Sequence, residues 1–215
     1  MAKAVLFDLD GVLVSTDEYH YLSWVKIANE EGFGFFDHTF NDQFRGVARM
    51  ECVEIITKAS GRHYSPAQKI GIAERKNRYF AESLSAVTPE ELLPGALATL
   101  QELKKRGIKI AVASNSRNAK TIINQTKIGH LLDTVVDGYQ IEKSKPDPEV
   151  FLLAARILGV APVQCIVVED AVTGLEAARR AGMKALGIGS PERLPNADIV
   201  VANLSAISID RLLSL

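Results

Sequence analysis

The sequence predicts an α/β protein with a doubly wound parallel sheet, into which a helical module is inserted. Two observations predict the sheet: short, continuously apolar runs recur along the chain, and helical patterns separate them. Continuous apolar runs are typical of strands covered on both faces, and their alternation with helices is typical of parallel sheets. A third observation predicts the module, because only helical patterns lie between the first apolar run and Pro94.

Six apolar runs are the predicted strands of the sheet. In chain order they are Lys3–Phe7, Ile108–Ser114, Thr134–Asp137, Cys165–Asp170, Lys184–Gly189 and Asp198–Ala202. The helical patterns between them have recognisable ends. Residues 96–107 and 171–182 each finish with basic side chains and a glycine, which is typical of a helix C-terminus. Asp147 and Pro148 are start signals for a helix that stops at Gly159.

Three helices are predicted in the inserted module. Ser15–Glu18 matches a capping box, and the helix that it opens would run to Gly32. A second helix would cover Met50–Ala59. A third would begin at Ser65 and Pro66, since serine caps helices and proline favours the first helical position. The predicted division is a core of residues 1–14 and 84–215 and a helical module of residues 15–83.

Length, charge and cysteine content exclude several classes of protein. The chain has 215 residues, which is large for one domain and small for two. Its net charge of −1 gives no long-range attraction to nucleic acid or to an anionic membrane. No apolar run approaches the roughly 18 residues of a membrane span, and the acidic start is unlike a signal peptide. Cys52 and Cys165 are too few and too widely spaced for a disulfide framework, so we expect a cytoplasmic protein.

Polar side chains follow four of the predicted strands at the point where each strand ends. They are Asp8 and Asp10, Ser114 to Ser116, Lys143 to Pro146, and Glu169 with Asp170. Because ligands of an open parallel sheet bind at the carboxyl ends of its strands, these groups should meet at one edge. Four carboxylates there would repel one another. Mg²⁺ resolves that repulsion, since it binds carboxylates together with phosphate oxygens and waters. The sequence therefore predicts metal-assisted phosphoryl transfer.

Four motifs frame almost the whole chain and identify a family. In order they are Phe7–Leu13, Ala113–Ser116, Lys143–Phe151 and Val167–Gly182, and they resemble the motifs of the haloacid dehalogenase superfamily. Segments of the inserted module further resemble the β-phosphoglucomutase family within that superfamily; these are Thr16–Trp24, Phe44–Arg49 and Glu74–Tyr79. The resemblance implies a Rossmann-like catalytic core and identifies the module as a helical cap.

The resemblance implies roles for the carboxylates. Asp8 would be the nucleophile that becomes an aspartyl phosphate, and also a metal ligand. Asp10 would be the general acid and base, and its main-chain carbonyl would bind the metal. Asp170 would be a direct Mg²⁺ ligand, whereas Glu169 would be either a ligand or a partner that supports one. Gly11 would only permit a sharp turn.

The resemblance also implies two phosphate-binding groups. Ser114 and Lys145 would hold the transferring phosphoryl group, Asn115 would also bind substrate or phosphate, and the Lys145–Pro146 peptide bond would be cis. A mutase must bind a second phosphate as well, which would be held by Arg49 and by Ser116, Arg117 and Asn118. The family usually has lysine where Arg117 stands, so the charge is kept while the geometry changes. Arginine offers a bidentate fork to a phosphate, and a helix starting near Arg117 adds main-chain amides.

The remaining site residues belong to the cap. The resemblance implies that Gly46 and Val47 line the sugar pocket through backbone contacts, with Arg45 in place of a lysine. His20 and Trp24 would lie one turn apart on one helix face, and Lys76 would reach the sugar from the third cap helix. We expect the ligand to be a small sugar phosphate and the protein to be a monomer, without nucleic acid or membrane partners.

Three functions fit this set of residues to different degrees. The first is an isomerase, a Mg²⁺-dependent phosphomutase that interconverts β-D-glucose 1-phosphate and β-D-glucose 6-phosphate through β-glucose 1,6-bisphosphate. Closure of the cap would keep water from the aspartyl phosphate. The second is a small-molecule phosphatase, which the four core motifs cannot distinguish from the first. The third, a non-catalytic phospho-sugar sensor, does not need a nucleophile beside a general acid.

Overall fold

The computed structural model describes residues 2–44 and 47–215, and the chain divides into two compact units. The first unit comprises residues 1–15 and 87–215, and the second comprises residues 16–86. The two boundaries predicted for the inserted module, after residues 14 and 83, lie one residue and three residues before the boundaries of the second unit. The larger difference arises because a 3₁₀ turn, Leu84–Ala86, continues directly from the last helix of the second unit.

The strands and helices of the described residues have the following bounds. The strands are β1 (Ala4–Phe7), β2 (Lys109–Ala113), β3 (Thr134–Val136), β4 (Cys165–Glu169), β5 (Lys184–Ile188) and β6 (Ile199–Val201). The helices are α1 (Asp17–Glu31), α2 (His38–Asn41), α3 (Arg49–Ala59), α4 (Pro66–Ser83), α5 (Ala96–Lys105), α6 (Ala119–Thr126), α7 (Glu149–Leu158), α8 (Val172–Arg180) and α9 (Ile209–Leu213). None of the helices within the described ranges is long and apolar enough to cross a membrane.

The six strands of the first unit form one parallel sheet with the order β3-β2-β1-β4-β5-β6, so the predicted fold class is confirmed. The chain moves outward from β1 through β2 to β3, and then returns to the other side of β1 to form β4. Ligands of doubly wound sheets bind where the strand order reverses in this way. The sheet therefore places the candidate site beside the ends of β1 and β4.

The central strands are buried on both faces, as their continuous apolar sequences predict. Every residue of β1 and β4 is buried. On one face, Leu6 and Val167 belong to a cluster with Phe151 of α7 and Leu175 of α8. Burial of this kind stabilises by roughly 25 cal/mol per Å² of apolar surface and holds the strand ends rigidly.

The register of the sheet brings three polar strand ends level with one another. Phe7 lies opposite Val112 of β2 and Val168 of β4. The next residue of β1 is Asp8, whose amide donates to the carbonyl oxygen of Val168 at 2.9 Å. Asp8, the residue after β1, and Glu169, the last residue of β4, consequently lie at the same height on neighbouring strands.

The second unit is helical and has its own apolar core, which includes Trp24, Ile27, Val53, Ile56 and Ile72. Gly32 ends α1 in the left-handed conformation, as predicted. Ser65 and Gln68 form a capping box at the start of α4, with Pro66 in the first turn, so the predicted start is confirmed.

The capping box predicted at Ser15–Glu18 is wrong. Among the described residues, Thr16 is the N-cap residue of α1, and its side chain forms no capping hydrogen bond to the helix. Ser15 belongs to the first unit, where its amide donates to the carbonyl oxygen of Glu91 at 3.1 Å. The sequence pattern fits a cap, but the main-chain hydrogen bond to Glu91 keeps Ser15 in the first unit.

Candidate active site

The loop after β1 is shaped around the carboxylate of Asp170. Gly11 has a φ of +77°, a left-handed conformation that disfavours side chains. A Cβ atom at Gly11 would lie 2.2 Å from Oδ2 of Asp170. The expectation that Gly11 only permits a turn is therefore wrong. Its missing side chain makes the space in which the Asp170 carboxylate lies against the Asp8–Gly11 loop.

Lys145 is the centre of the charged cluster at this edge of the sheet. Lys145 is only 7% exposed, and it lies in the loop that follows β3. The ammonium lies 2.5 Å from Oδ1 of Asp8, 2.7 Å from Oε1 of Glu169 and 2.9 Å from the carbonyl oxygen of Ala113. Three strand ends are thus tied to one cation, which also lies 4.8 Å from the ring centroid of Phe151.

The backbone around Lys145 is held by the loop after β2. The amide of Lys145 donates to Oδ1 of Asn115 at 3.3 Å, and the Lys145–Pro146 bond is cis, as predicted. Asn115 is therefore placed to join two loops of the site. This hydrogen bond gives the side-chain oxygen of Asn115 a structural role that requires no ligand.

The charges in this cluster determine the protonation of Lys145. Burial acts to lower its pKa, but the negative charges of Asp8 and Glu169 outweigh burial and hold the pKa above its ordinary value. Burial raises the pKa of Glu169, and the Lys145 ammonium opposes that rise. Lys145 is consequently a permanent cation beside the carboxylate of Asp8.

Both carboxylate oxygens of Glu169 are already engaged by the protein. Oε1 accepts from Lys145, and Oε2 accepts from the amides of Asp170 and Ala171 at 2.9 and 3.0 Å. Gly174 makes this possible, since a Cβ there would lie 1.8 Å from Oε1. Of the two alternatives for Glu169, these contacts favour the supporting role: it orients Lys145 and the Asp170 backbone.

The oxygen donors at this edge fit Mg²⁺. Asp8 and Asp170 would contribute carboxylates to such a site, and Asp10, in the same loop as Gly11, would contribute a main-chain carbonyl. Within residues 2–44 and 47–215, no group of three or more His, Cys, Asp or Glu side chains is arranged to hold a metal ion. A magnesium site here would therefore combine two carboxylates with a carbonyl, phosphate oxygens and waters, which is the coordination that Mg²⁺ favours.

The hydroxyl groups after β2 organise the next loop. Ser114 is 3% exposed, and its Oγ accepts from the amide of Ser116 at 3.1 Å. Oγ of Ser116 in turn accepts from the amide of Asn118 at 3.2 Å, one residue before α6 begins. A hydroxyl that accepts an N–H can still donate its own proton. Both serines can therefore support the loop and bind a phosphate oxygen.

The second unit brings Lys76 next to His20 and Trp24, the two residues that helical spacing predicted on one face of a helix. Lys76 is 3% exposed, and its ammonium lies 2.5 Å from Nδ1 of His20. The same ammonium lies 5.6 Å from the ring centroid of Trp24 and 4.7 Å from that of Phe80. Phe80 also stacks on His20, with centroids 3.9 Å apart.

The protonation of His20 follows from these neighbours. Burial, then the charges of Lys76 and Arg49, hold the pKa of His20 well below its usual value. The imidazole is therefore neutral at pH 7 and accepts from Lys76 at Nδ1, so its proton is on Nε2. The pair presents one imidazole N–H donor at a fixed position.

The other predicted cap residues are less completely placed. Arg49 is half-buried and begins α3. Val47 packs against the apolar core of the second unit, its amide donates to Phe44, and its carbonyl oxygen accepts from Cys52. Its contact with a sugar stays a prediction. Arg45 and Gly46 lie outside the described residues.

Sequence reasoning missed two aromatic residues that hold site cations. Phe80 lies one helical turn after Lys76, so the i, i+4 spacing could have indicated it. Tyr139 lies against Arg117, with the guanidinium 5.3 Å from the ring centroid. No sequence signal connects these two residues, because the packing of two loops brings them together.

Comparisons with known proteins agree with this site. A family model of haloacid dehalogenase-like hydrolases matches residues 2–182. The chain is 41% identical over 212 residues to β-phosphoglucomutase of Bacillus subtilis, covering 98% of this chain and 93% of the relative. It is 31% identical to a phosphorylated carbohydrates phosphatase of Thermotoga maritima, covering 85% and 82% of the two chains.

A solved structure is similar over nearly the whole chain. The crystal structure of β-phosphoglucomutase from Clostridium difficile superposes with a TM-score of 0.90 at 35% sequence identity, and covers 98% of this chain and 95% of that one. The strand-end cluster, the fold and these likenesses lead to one conclusion: the chain belongs to the haloacid dehalogenase-like hydrolases, as an enzyme similar to β-phosphoglucomutases.

Proposed function

We propose that the protein is a Mg²⁺-dependent β-phosphoglucomutase that interconverts β-D-glucose 1-phosphate and β-D-glucose 6-phosphate. The likeness to β-phosphoglucomutases supports this activity. The observation that carries it is the pair of His20 and Lys76 in the second unit, in which Lys76 is only 3% exposed. Burying an ammonium costs free energy unless a partner compensates. If the Lys76 position served only the packing of the core, an apolar side chain would suffice. A sugar, in contrast, requires side chains that form hydrogen bonds with it.

One half of the reaction transfers a phosphoryl group from the sugar bisphosphate to Asp8 and releases a sugar monophosphate. An oxygen of the Asp8 carboxylate attacks phosphorus, and the bond from phosphorus to the departing sugar oxygen breaks. Asp10 gives a proton to that oxygen, which leaves as a hydroxyl group. Lys145 attracts the phosphoryl oxygens and keeps Asp8 in position. A bound Mg²⁺ would neutralise charge on the transferring group.

The other half transfers the phosphoryl group from Asp8 to the free hydroxyl group of a sugar monophosphate. That hydroxyl group gives its proton to Asp10 and attacks the phosphorus on Asp8, whose carboxylate is released. The product is the bisphosphate, which must turn around before Asp8 takes its other phosphate, so the site has to bind a phosphate that is not being transferred. The candidates for that phosphate are Ser116, Arg117 and Asn118, which follow β2 in the first unit; Arg49 of the second unit is a further candidate cation.

A phosphatase of sugar phosphates is the competing function, and the Thermotoga relative favours it. Both functions share the transfer to Asp8, and they differ in whether a sugar hydroxyl or water accepts the phosphoryl group. A sensor without catalysis is less well supported, because the charged cluster of Asp8, Lys145 and Glu169 has no use in binding alone.

The test compares two products in one reaction. Protein, Mg²⁺, β-glucose 1-phosphate and a trace of the bisphosphate are incubated, with glucose 6-phosphate followed by a coupled dehydrogenase and free phosphate by a colorimetric assay. We expect glucose 6-phosphate to form faster than free phosphate. Faster release of phosphate would instead establish the phosphatase. Asp8→Asn should abolish both products, so activity of that variant would overturn the assignment of the nucleophile.

A cap variant distinguishes the two functions further. Arg49→Ala should reduce mutase turnover far more than hydrolysis of p-nitrophenyl phosphate, which has a single phosphate. Arg78→Ala, at an exposed arginine of the same unit, is the matched control and should change neither rate. Equal losses for Arg49→Ala in both assays would remove the argument for a second phosphate site.

A further inference from the structure

The loop after β3 is built against the loop after β2. The amide of Gly138 donates to the carbonyl oxygen of Ser116 at 3.1 Å. A Cβ at Gly138 would lie 2.3 Å from the carbonyl oxygen of Asn115 and 3.2 Å from Cγ of Arg117. Only glycine allows this approach of the two backbones. The residue after Gly138 is therefore placed directly beside the predicted phosphate-binding loop.

A buried carboxylate fixes the same loop from its other side. Asp137 is 1% exposed, and its Oδ1 accepts from the amide of Tyr139 at 3.0 Å. Its Oδ2 lies 2.9 Å from the ammonium of Lys120 in α6, and its amide donates to Oε1 of Gln140 at 3.1 Å. The position of Tyr139 is thus determined by hydrogen bonds on both sides of the loop.

Tyr139 is 71% exposed, yet its ring lies against the Arg117 guanidinium, whose Cζ is 5.3 Å from the ring centroid. We propose that Tyr139 is a positioning residue for phosphate binding, which holds the guanidinium of Arg117 ready for the phosphate that is not being transferred. The proposal rests on the proposed function, because that function requires a second phosphate.

The physical reason is the difference between a free and an oriented arginine. Arg117 is exposed, and an exposed arginine loses side-chain freedom when it binds. A planar guanidinium stacks on an aromatic face, whereas a lysine in this position is a mobile point charge. Stacking leaves the N–H groups at the guanidinium edge free to form a fork to phosphate. A ring that holds the fork in advance improves affinity by reducing this cost.

The size of the effect follows from the exposure of the pair. Cation–π contacts at exposed sites are weak, so loss of the ring should weaken binding of a bisphosphate by about two- to fivefold. The same change should raise KM for β-glucose 1-phosphate and leave kcat nearly unchanged, because Tyr139 touches neither Asp8 nor the transferring group.

The experiment uses the whole chain and four substitutions, each made in an Asp8→Asn background. Binding of β-glucose 1,6-bisphosphate with Mg²⁺ is measured by calorimetry in the Asp8→Asn background, which needs no turnover. Tyr139→Ala should weaken binding, and Tyr139→Phe, which keeps the ring, should bind like the parent. In an Arg117→Ala background, Tyr139→Ala should have no further effect. Val163→Ala, at a residue 81% exposed in the same unit, is the control.

The outcomes separate this inference from the proposed function. Equal affinity for Tyr139→Ala and the parent would overturn the role of Tyr139, even if the mutase assay succeeds. A loss of the same size with and without Arg117 would also overturn it, since the ring would then act through another group. If the wild type forms no glucose 6-phosphate but the Tyr139 effect on bisphosphate binding is present, the proposed function fails and the inference stands. Absence of bisphosphate binding would overturn both.

Discussion

Replacing Lys145 by methionine tests how the candidate site is held together. The substitution keeps the length and apolar character of the side chain and removes its charge. Glu169 would then remain buried with a carboxylate that has lost its cation, since the side chains of Lys145 and Glu169 are only 4% and 2% exposed. Removing one partner of a buried ion pair costs about 3–5 kcal/mol. At about 2–4 °C per kcal/mol for a chain of this size, the melting temperature should fall by about 6–20 °C.

The assay is differential scanning calorimetry of four proteins at pH 7. Lys143→Met is the matched control, because Lys143 is two residues away, its side chain is 73% exposed and its ion pair with Asp147 spans 4.0 Å. Its melting temperature should stay close to that of the wild type. The double variant Lys145→Met/Glu169→Gln should be more stable than Lys145→Met. Glutamine can still accept from the amides of Asp170 and Ala171 but carries no charge. A double variant no more stable than the single one would refute this reasoning.

Three further predictions address the metal, the cap histidine and the cysteines. Chelation of Mg²⁺ should abolish turnover, and added Mg²⁺ should restore it. Gly11→Ala should raise the Mg²⁺ concentration that gives the half-maximal rate, because its Cβ would displace the Asp170 carboxylate. An unchanged Mg²⁺ requirement in Gly11→Ala would count against Asp170 as a ligand. The pKa of His20 is lower in the folded protein than in the unfolded chain, so at acid pH the unfolded chain binds one more proton at this residue. The free energy of unfolding should therefore fall as the pH drops below about 6.5, by up to about 1.4 kcal/mol per pH unit. His20→Asn should lose less stability over that pH range in thermal melts, and equal slopes for the two proteins would contradict the neutral histidine. Burial raises the pKa of Cys52 to about 12 and that of Cys165 to about 11. A thiol reagent at pH 8 should therefore label neither cysteine until the protein is unfolded. Fast labelling of the native protein would contradict the burial of the two thiols.

The strand ends were predictable from the sequence because their physics is local. A continuous apolar run such as Cys165–Val168 has to be buried on both faces, and the polar residues that follow it have to lie at the sheet edge. Parallel register then brings Asp8 and Glu169 level, although they are 161 residues apart in sequence. The i, i+4 spacing of His20 and Trp24 likewise follows from helix geometry alone.

Other features depend on contacts that the sequence pattern does not contain. The capping box at Ser15 satisfied the local rule, but Ser15 pairs with Glu91 of the first unit instead. Gly11 was predictable as a turn, whereas the Asp170 carboxylate beside it comes from a strand far away along the chain. Tyr139 meets Arg117 because Gly138 lets two loops approach. In each case a distant segment supplies the partner, so a local reading cannot name it.

The fate of the phosphoryl group on Asp8 tests the central claim most directly. The protein is first phosphorylated with ³²P-labelled bisphosphate and Mg²⁺, and the labelled peptide is identified after a rapid quench. Excess β-glucose 1-phosphate is then added, and the label is followed into sugar bisphosphate or free phosphate. The account predicts label on the peptide that contains Asp8, and transfer of most of it to the sugar. Label that passes mainly to free phosphate, or that never resides on Asp8, would contradict the account.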